Sequence, residues 1–274
     1  MSKKRDKVIR AAVVQLELPP GDVTGNRDIF RSTLLSLHDV DLVVAPELFV
    51  SGYDLAMIDE RADALAEPVD GPTVSMMREV AGERGITIVA GILERSDAGT
   101  LYDTAVVVTP DGAASPYRKS HLFPPERKRF AAGDELFVVP TPAGVLGPQI
   151  CFEHAFPAIS TTLANEGAEI IVIPSAVGDG FDHLLTLRSR ARAQDNQVFV
   201  VAANLNGNGF CGRSLIADPM GRVLASAGRE DAILRADLDL SLIRSQREQE
   251  PSLQLARLDL YRIAPQSLDD GPTR

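Results

Sequence analysis

The chain has 274 residues, 45% of them hydrophobic, and no Pro/Gly/Ser-rich linker, so it is read as a single domain over residues 1–274 with a substantial core. A net charge of −10 opposes nucleic acid as a partner, because phosphate binding needs clustered positive charge. Two cysteines make no disulfide framework, and the scattered His38, His121, His154 and His183 show no CxxC or HExxH spacing, so no metal is expected.

The basic start, residues 1–7, lacks a signal-type apolar core and reads as a frayed tail. No apolar run is long enough to span a bilayer, so a soluble, cytoplasmic protein without membrane partners is expected. Strand-like runs then follow in order: residues 8–18, 42–45, 86–93, 105–109, 147–152, 170–174, 198–203 and 214–217. Most are rich in Val and Ile and bounded by Gly, Pro or Asp. Several are apolar on both faces, as in strands covered on both sides. Helical patterns predict helices over 25–38, 74–84 with Gly85 as stop, 156–167 and 183–196. Residues 52–63 and 177–183 read as loops that set specificity. The turns Thr109-Pro-Asp-Gly112 and Asp218-Pro-Met-Gly221 each join two strands, so part of the sheet is antiparallel and the order is mixed α/β. The ordered core is placed at about residues 8–245, and residues 241–274 read as a polar tail.

Three segments carry candidate chemistry. In Gly147-Pro-Gln-Ile-Cys151-Phe-Glu-His154, a strand delivers Cys151 to a turn just before a helix, which favours a thiolate. A free cysteine is also among the most buried residue types, and the segment alone suits a packed thiol. The polar Glu153-His154 argues for the nucleophile, because a core strand does not normally run into such a pair. Glu47 ends the apolar run Asp41-Leu-Val-Val-Ala-Pro46, and open α/β folds place their sites at strand ends. Lys119, in Tyr117-Arg-Lys-Ser-His121, reads in isolation as a basic loop residue. Cys211 sits in a turn-rich hairpin and reads as structural. Gly207-Asn-Gly-Phe-Cys-Gly212 matches G-x-G-x-x-G but leads into a strand, so no dinucleotide site is expected. No G-x-S-x-G is present.

Together and in this order, Pro46-Glu-Leu with Gly52-Tyr53, Tyr117-Arg-Lys-Ser-His-Leu-Phe123 and Gly147-Pro-Gln-Ile-Cys-Phe-Glu153 resemble the nitrilase superfamily of carbon–nitrogen hydrolases. Arg190-Ala-Arg-Ala-Gln-Asp-Asn196 and Gly209-Phe-Cys-Gly-Arg-Ser214 extend the resemblance, which spans residues 8–238. It implies an αββα sandwich with mixed sheets that pairs into a homodimer or higher homo-oligomer. It implies an amidase- or carbamoylase-like enzyme that cleaves a small linear amide or ureido compound through a thioester, with no metal and no organic cofactor. Glu47 would be the general base, Cys151 the nucleophile, and Lys119 with the Phe152 backbone N–H the oxyanion donors. Glu126, in Glu-Arg-x-x-Phe-x-x-Gly, would orient Lys119 or the substrate, with Glu153 in support. Tyr53, His154 and Ser175 are the candidate substrate contacts. Arg188 and Arg190 suit a substrate carboxylate or, preferably, the helix surface. Glu153 stands where many family amidases have Asp. Cys-x-Glu-His resembles true nitrilases, which keeps a nitrile substrate as the alternative, beside a catalytically silent relative.

Overall fold

Runs rich in β-branched residues form two six-stranded sheets in the protein, whose computed structural model describes residues 7–260. The start at residues 1–6 and the end at 261–274, read from sequence as tails, lie outside the described residues. The first sheet contains β1 (Val8–Gln15), β2 (Leu42–Val44), β3 (Thr87–Arg95), β4 (Leu101–Val108), β5 (Ala114–Arg118) and β14 (Ala232–Asp239). Its order is β14-β1-β2-β3-β4-β5. The second contains β6 (Val139–Thr141), β7 (Gly144–Pro148), β8 (Ile170–Ser175), β9 (Phe199–Asn204), β12 (Leu215–Ala217) and β13 (Val223–Ser226). Its order is β13-β12-β9-β8-β7-β6. A two-stranded hairpin, β10 (Asn206–Gly207) and β11 (Phe210–Cys211), stands apart. In each large sheet three central strands run parallel and the outer ones antiparallel. The two turns read from sequence join β4 to β5 and β12 to β13, both antiparallel pairs.

The helices are α1 (Val23–Ser36), α2 (Leu55–Leu65), α3 (Pro72–Arg84), α4 (Pro157–Asn165), α5 (Asp182–Asn196), α6 (Ser241–Gln249) and α7 (Ser252–Leu255). Asp22 caps α1 by accepting from the Gly25 amide, and Gly85 ends α3 in the left-handed region. Strand side chains alternate in direction, and that alternation builds the layers. Ala12, Val14, Val43, Ile88 and Ala90 face α1 and α3, packing on Phe30, Leu34, Met77 and Val80. Their neighbours Ile9, Val13, Leu42, Val44 and Val89 face the second sheet and meet Leu146, Ile170, Val172, Phe199 and Val201. On the far side Ile171, Ile173, Val200 and Ala202 pack under Leu185 and Ala193 of α5. The result is the expected αββα sandwich. Each fully buried aliphatic side chain contributes about 1.5–3 kcal/mol.

Three elements differ from the sequence reading. Residues 52–63 are not all loop: Asp54 caps α2 through the Met57 amide, and Ile58 and Leu65 pack with Leu48, Leu93 and Phe130. The polar stretch after Ser241 begins with α6, whose Ile243 is buried in the cluster between the sheets. The strand before the cysteine stops at Pro148, short of Cys151, which adopts a left-handed backbone. Among the described residues no helix is long and apolar enough to cross a membrane.

Candidate active site

Glu47 lies just beyond β2, on a backbone pressed against β3. The Gly91 amide donates to Pro46 O at 3.0 Å, and the Phe49 amide donates to Gly91 O at 3.0 Å. A Cβ on Gly91 would lie 2.6 Å from Glu47 Cα and 2.6 Å from Leu48 N, so only glycine permits this approach. Lys119 directly follows β5. Its amide donates to Asp103 O at 2.9 Å, and its carbonyl accepts from the Gly133 amide at 2.9 Å. Gly133 closes the Glu126-Arg-x-x-Phe-x-x-Gly pattern, and a Cβ there would meet Arg118 O at 2.3 Å. The motif therefore presses one strand of backbone onto the lysine.

Cys151 opens a 3-10 turn (Cys151–Ala155) ahead of α4, with φ of +43°. A non-glycine residue in that region costs about 1–3 kcal/mol and persists where its surroundings enforce it. Here Glu153 enforces it. Its Oε2 accepts the Ile150 amide at 2.7 Å, and Oε1 accepts Tyr117 OH at 2.8 Å, Ser120 N at 2.8 Å and Ser120 Oγ at 2.5 Å. The half-buried Cys151 sulfur receives the Ala176 amide, just past β8, at 3.5 Å.

The fully buried Lys119 ammonium gathers three carboxylates: Glu47 Oε1 at 2.5 Å, Glu126 Oε1 at 2.8 Å and Asp103 Oδ2 at 3.1 Å. These oxygens lie within 4.8 Å of one another, a spacing that suits a cation, and Nζ is that cation. Tyr53 OH donates to Glu126 Oε1 at 2.6 Å. Burial alone would lower the Lys119 pKa, but Glu47 and Asp103, then Cys151 and Glu126, raise it well above the usual value. Burial pushes Glu47 well up and Glu126 up, against the pull of Lys119, so the cluster titrates as a unit. Burial also pushes the Cys151 thiol well up, and Glu47 acts the same way; Lys119 opposes both. Glu47 Oε2 has no hydrogen-bond partner among the described residues.

The pocket has a volume of about 850 Å³. Tyr53, Glu126, Cys151, Phe152 and His154 line it, as does Arg188, which the sequence reading preferred to leave on the helix surface. Arg190 is on that surface side, donating to Gly221 O at 2.8 Å. Ser175 is a correction. It is fully buried and its hydroxyl turns back to Ile173 O at 3.2 Å; its neighbour Ala176 lines the pocket instead. The Phe152 ring packs between Phe123 and Phe156. Glu153 is spent on holding the turn. Sequence reasoning missed Asp103, whose one signal is an acid inside the mostly apolar strand β4. Cys211 is buried in its hairpin, with its thiol pushed up to about 11 by burial.

The chain matches the carbon–nitrogen hydrolase family over residues 10–248. It is 33% identical over 258 residues to an (R)-stereoselective amidase of Pseudomonas sp., covering 92% of this chain and 93% of that one. It is 36% identical over 230 residues to a 2-oxoglutaramate amidase of Bacillus subtilis, covering 81% and 86%. Its fold superposes on a cysteine-to-alanine mutant of an amidase from Nesterenkonia sp. AN1, in complex with butyramide. The TM-score is 0.77 at 26% identity, with 88% of this chain and 95% of the other covered.

Proposed function

The chain belongs to the carbon–nitrogen hydrolase family, and on that footing we propose that it hydrolyses small amides, and ureido compounds of similar shape, with Cys151 as nucleophile, Glu47 as general base and Lys119 as oxyanion donor. The observation that carries the reading is the buried Lys119 ammonium, 2.5 Å from Glu47, in one site with a half-buried cysteine held on a left-handed turn. Glu47 takes the Cys151 proton as Sγ adds to the substrate carbonyl carbon. The carbonyl oxygen becomes negative and is met by Lys119 Nζ and the Phe152 amide. Glu47 returns the proton to the nitrogen, the C–N bond breaks, and ammonia or an amine leaves a thioester on Cys151. Water, giving a proton to Glu47, adds to the thioester; collapse releases the acid, and the sulfur regains the proton. A base whose pKa is raised by burial suits these transfers. Glu126 with Tyr53 orients Lys119, and Asp103 adds a second anchor.

Of the residues that raised the nitrile alternative, Glu153 holds the cysteine turn, and His154 accepts from Arg188 in the pocket wall. Ammonia release from amides, N-carbamoyl compounds and nitriles tests the reading. Amides should release ammonia with the parent protein and not with Cys151→Ala. Equal release by Cys151→Ala would remove the cysteine mechanism. Pairing of two copies across the α5 layer belongs to the same proposal, supported by the exposed Leu187 on α5. An active monomer in sedimentation would remove it.

A further inference from the structure

One ammonium serves three carboxylates in the candidate active site. Glu47, Asp103 and Glu126 are fully buried, and among the described residues Lys119 is the one cation bonded to them. Three negative charges against one positive leave an excess that a buried site holds only by taking up protons. The hydrogen bonds point to where such a proton finds partners. Glu126 is satisfied: Oε1 accepts from Lys119 and from the Tyr53 hydroxyl, and Oε2 accepts the Phe123 amide at 2.7 Å. Glu47 and Asp103 each spend one oxygen on Lys119. Their other oxygens, Glu47 Oε2 and Asp103 Oδ1, are buried with no partner among the described residues. One carboxylate oxygen of Glu47 lies within 4.8 Å of one of Asp103. A single proton satisfies both idle oxygens, because the protonated acid becomes a donor and the ionised one its acceptor. Burial raises Glu47 most and Lys119 opposes it; Asp103 then raises it further, by its charge and by a side-chain hydrogen bond. The other titratable groups that face Glu47 are Glu126, Cys151 and Tyr53. Glu94 and Arg118 pair with one another beside Thr104, on the opposite face of β4.

We propose that Asp103 is a positioning residue for the base: its charge and its idle Oδ1 hold the proton that Glu47 takes from Cys151, until that proton passes to the leaving nitrogen. The inference rests on Glu47 as the base and Cys151 as the nucleophile of the proposed function. Anchoring alone does not call for Asp103, because Glu47 and Glu126 already hold Nζ at 2.5 and 2.8 Å, closer than Asp103 at 3.1 Å. Without the neighbouring negative charge, Glu47 favours its ionised form and is a weaker base.

Asp103→Asn tests this, since it removes the charge but keeps the shape and an oxygen for Lys119. The readout is the rate of Cys151 alkylation by iodoacetamide against pH, which needs no turnover. The rate should rise as Glu47 loses its proton and then level off, because only an ionised Glu47 can take the thiol proton. In Asp103→Asn the midpoint should move to lower pH, and the plateau should fall roughly tenfold for each unit of that movement. The acid limb of kcat/KM for butyramide should move the same way. Asp103→Glu, which restores the charge, should return the midpoint toward that of the parent. A plateau that falls at an unmoved midpoint would make Asp103 an anchor for Lys119 and nothing more, and overturns the proposal. A midpoint that moves to higher pH overturns it as well. Midpoints do not depend on the folded fraction. If the parent hydrolyses no amide, the proposed function falls, while the alkylation profile still decides Asp103.

Discussion

The Tyr117 hydroxyl donates to Glu153 Oε1 at 2.8 Å, and this bond fastens the turn carrying Cys151 to the strand end carrying Lys119. The proposed nucleophile and oxyanion donor come from different sheets, so their spacing depends on such a link. Glu153 provides it with both oxygens, one on each segment. Glu153→Ala would leave the Ile150 and Ser120 amides and Tyr117 OH without their acceptor. Each buried donor left unsatisfied costs about 1–3 kcal/mol. Thermal unfolding should show Glu153→Ala strongly destabilised, and Glu153→Gln, which keeps one acceptor, less so. A near-parental midpoint for Glu153→Ala would mean that the link is idle.

Gly91→Ala tests the close approach behind Glu47. The added methyl would sit 2.6 Å from Glu47 Cα and 2.8 Å from Pro46 O, both backbone atoms that cannot swing aside. Overpacking costs about 1–3 kcal/mol, so the protein should still fold. A displaced base loses roughly a hundred-fold in rate. The expected result is a folded variant with kcat down about a hundred-fold. A variant as active as the parent would show that the Glu47 backbone has room to move.

Much of this was legible in the sequence because it depends on local signals. Pro-Glu at a strand end, Cys before Glu-His and the glycine after α3 are all short-range patterns, and each landed where the fold needs it. What was missed depends on tertiary contact. α2 is rich in acids and reads as a loop until Ile58 and Leu65 find the Leu93 and Phe130 surface. Asp103 has no motif, and its role comes from a lysine 16 positions away. Arg188 looked like a helix-surface cation because nothing local shows that α5 borders the cysteine. Ser175 was named as a candidate substrate contact, yet its side chain folds back on Ile173 O.

His154 gives a pH dependence whose sign can be worked out. Its folded pKa, about 3, lies below the unfolded value of about 6.5, because burial and the neighbouring guanidiniums disfavour the imidazolium. Between these values the unfolded chain binds a proton that the folded chain refuses. The stability contribution is thus fully present above about pH 6.5 and is lost as pH falls toward 3. Glu47, raised when folded, acts with the opposite sign, so the measurement must be a difference. The urea midpoint of the parent should fall between pH 7 and pH 4 more steeply than that of His154→Gln. Parallel slopes would remove His154 from the account.

Lys119 is the sharpest chemical test, because it has two duties that respond differently to pH. In the proposed mechanism its charge meets an oxygen that turns negative as sulfur adds. Losing one such donor costs about 2.7–4 kcal/mol, roughly a hundred- to a thousand-fold in rate. Lys119→Ala should therefore abolish most turnover. Lys119→Arg should do nearly the same, because a broad planar guanidinium does not fit between carboxylates 2.5 to 3.1 Å from a compact ammonium. The thiol, already pushed up by burial and Glu47, loses its one opposing cation in Lys119→Ala, so alkylation of Cys151 by iodoacetamide should slow. The second duty is structural. Without the ammonium, Glu47, Asp103 and Glu126 face one another across less than 4.8 Å in a buried site. They can remain there only by taking up protons, which lifts their folded pKa values further above the unfolded ones. Groups raised in this way add stability at low pH and lose it as pH rises through the folded values. Lys119→Ala should therefore gain stability relative to the parent on going from pH 8 to pH 5.5. Turnover should stay low throughout, because no protonation of the carboxylates restores a cation. If Lys119→Ala kept near-parental turnover on an amide that the parent hydrolyses, Lys119 would be a counter-ion to the carboxylates alone and the oxyanion would need another donor.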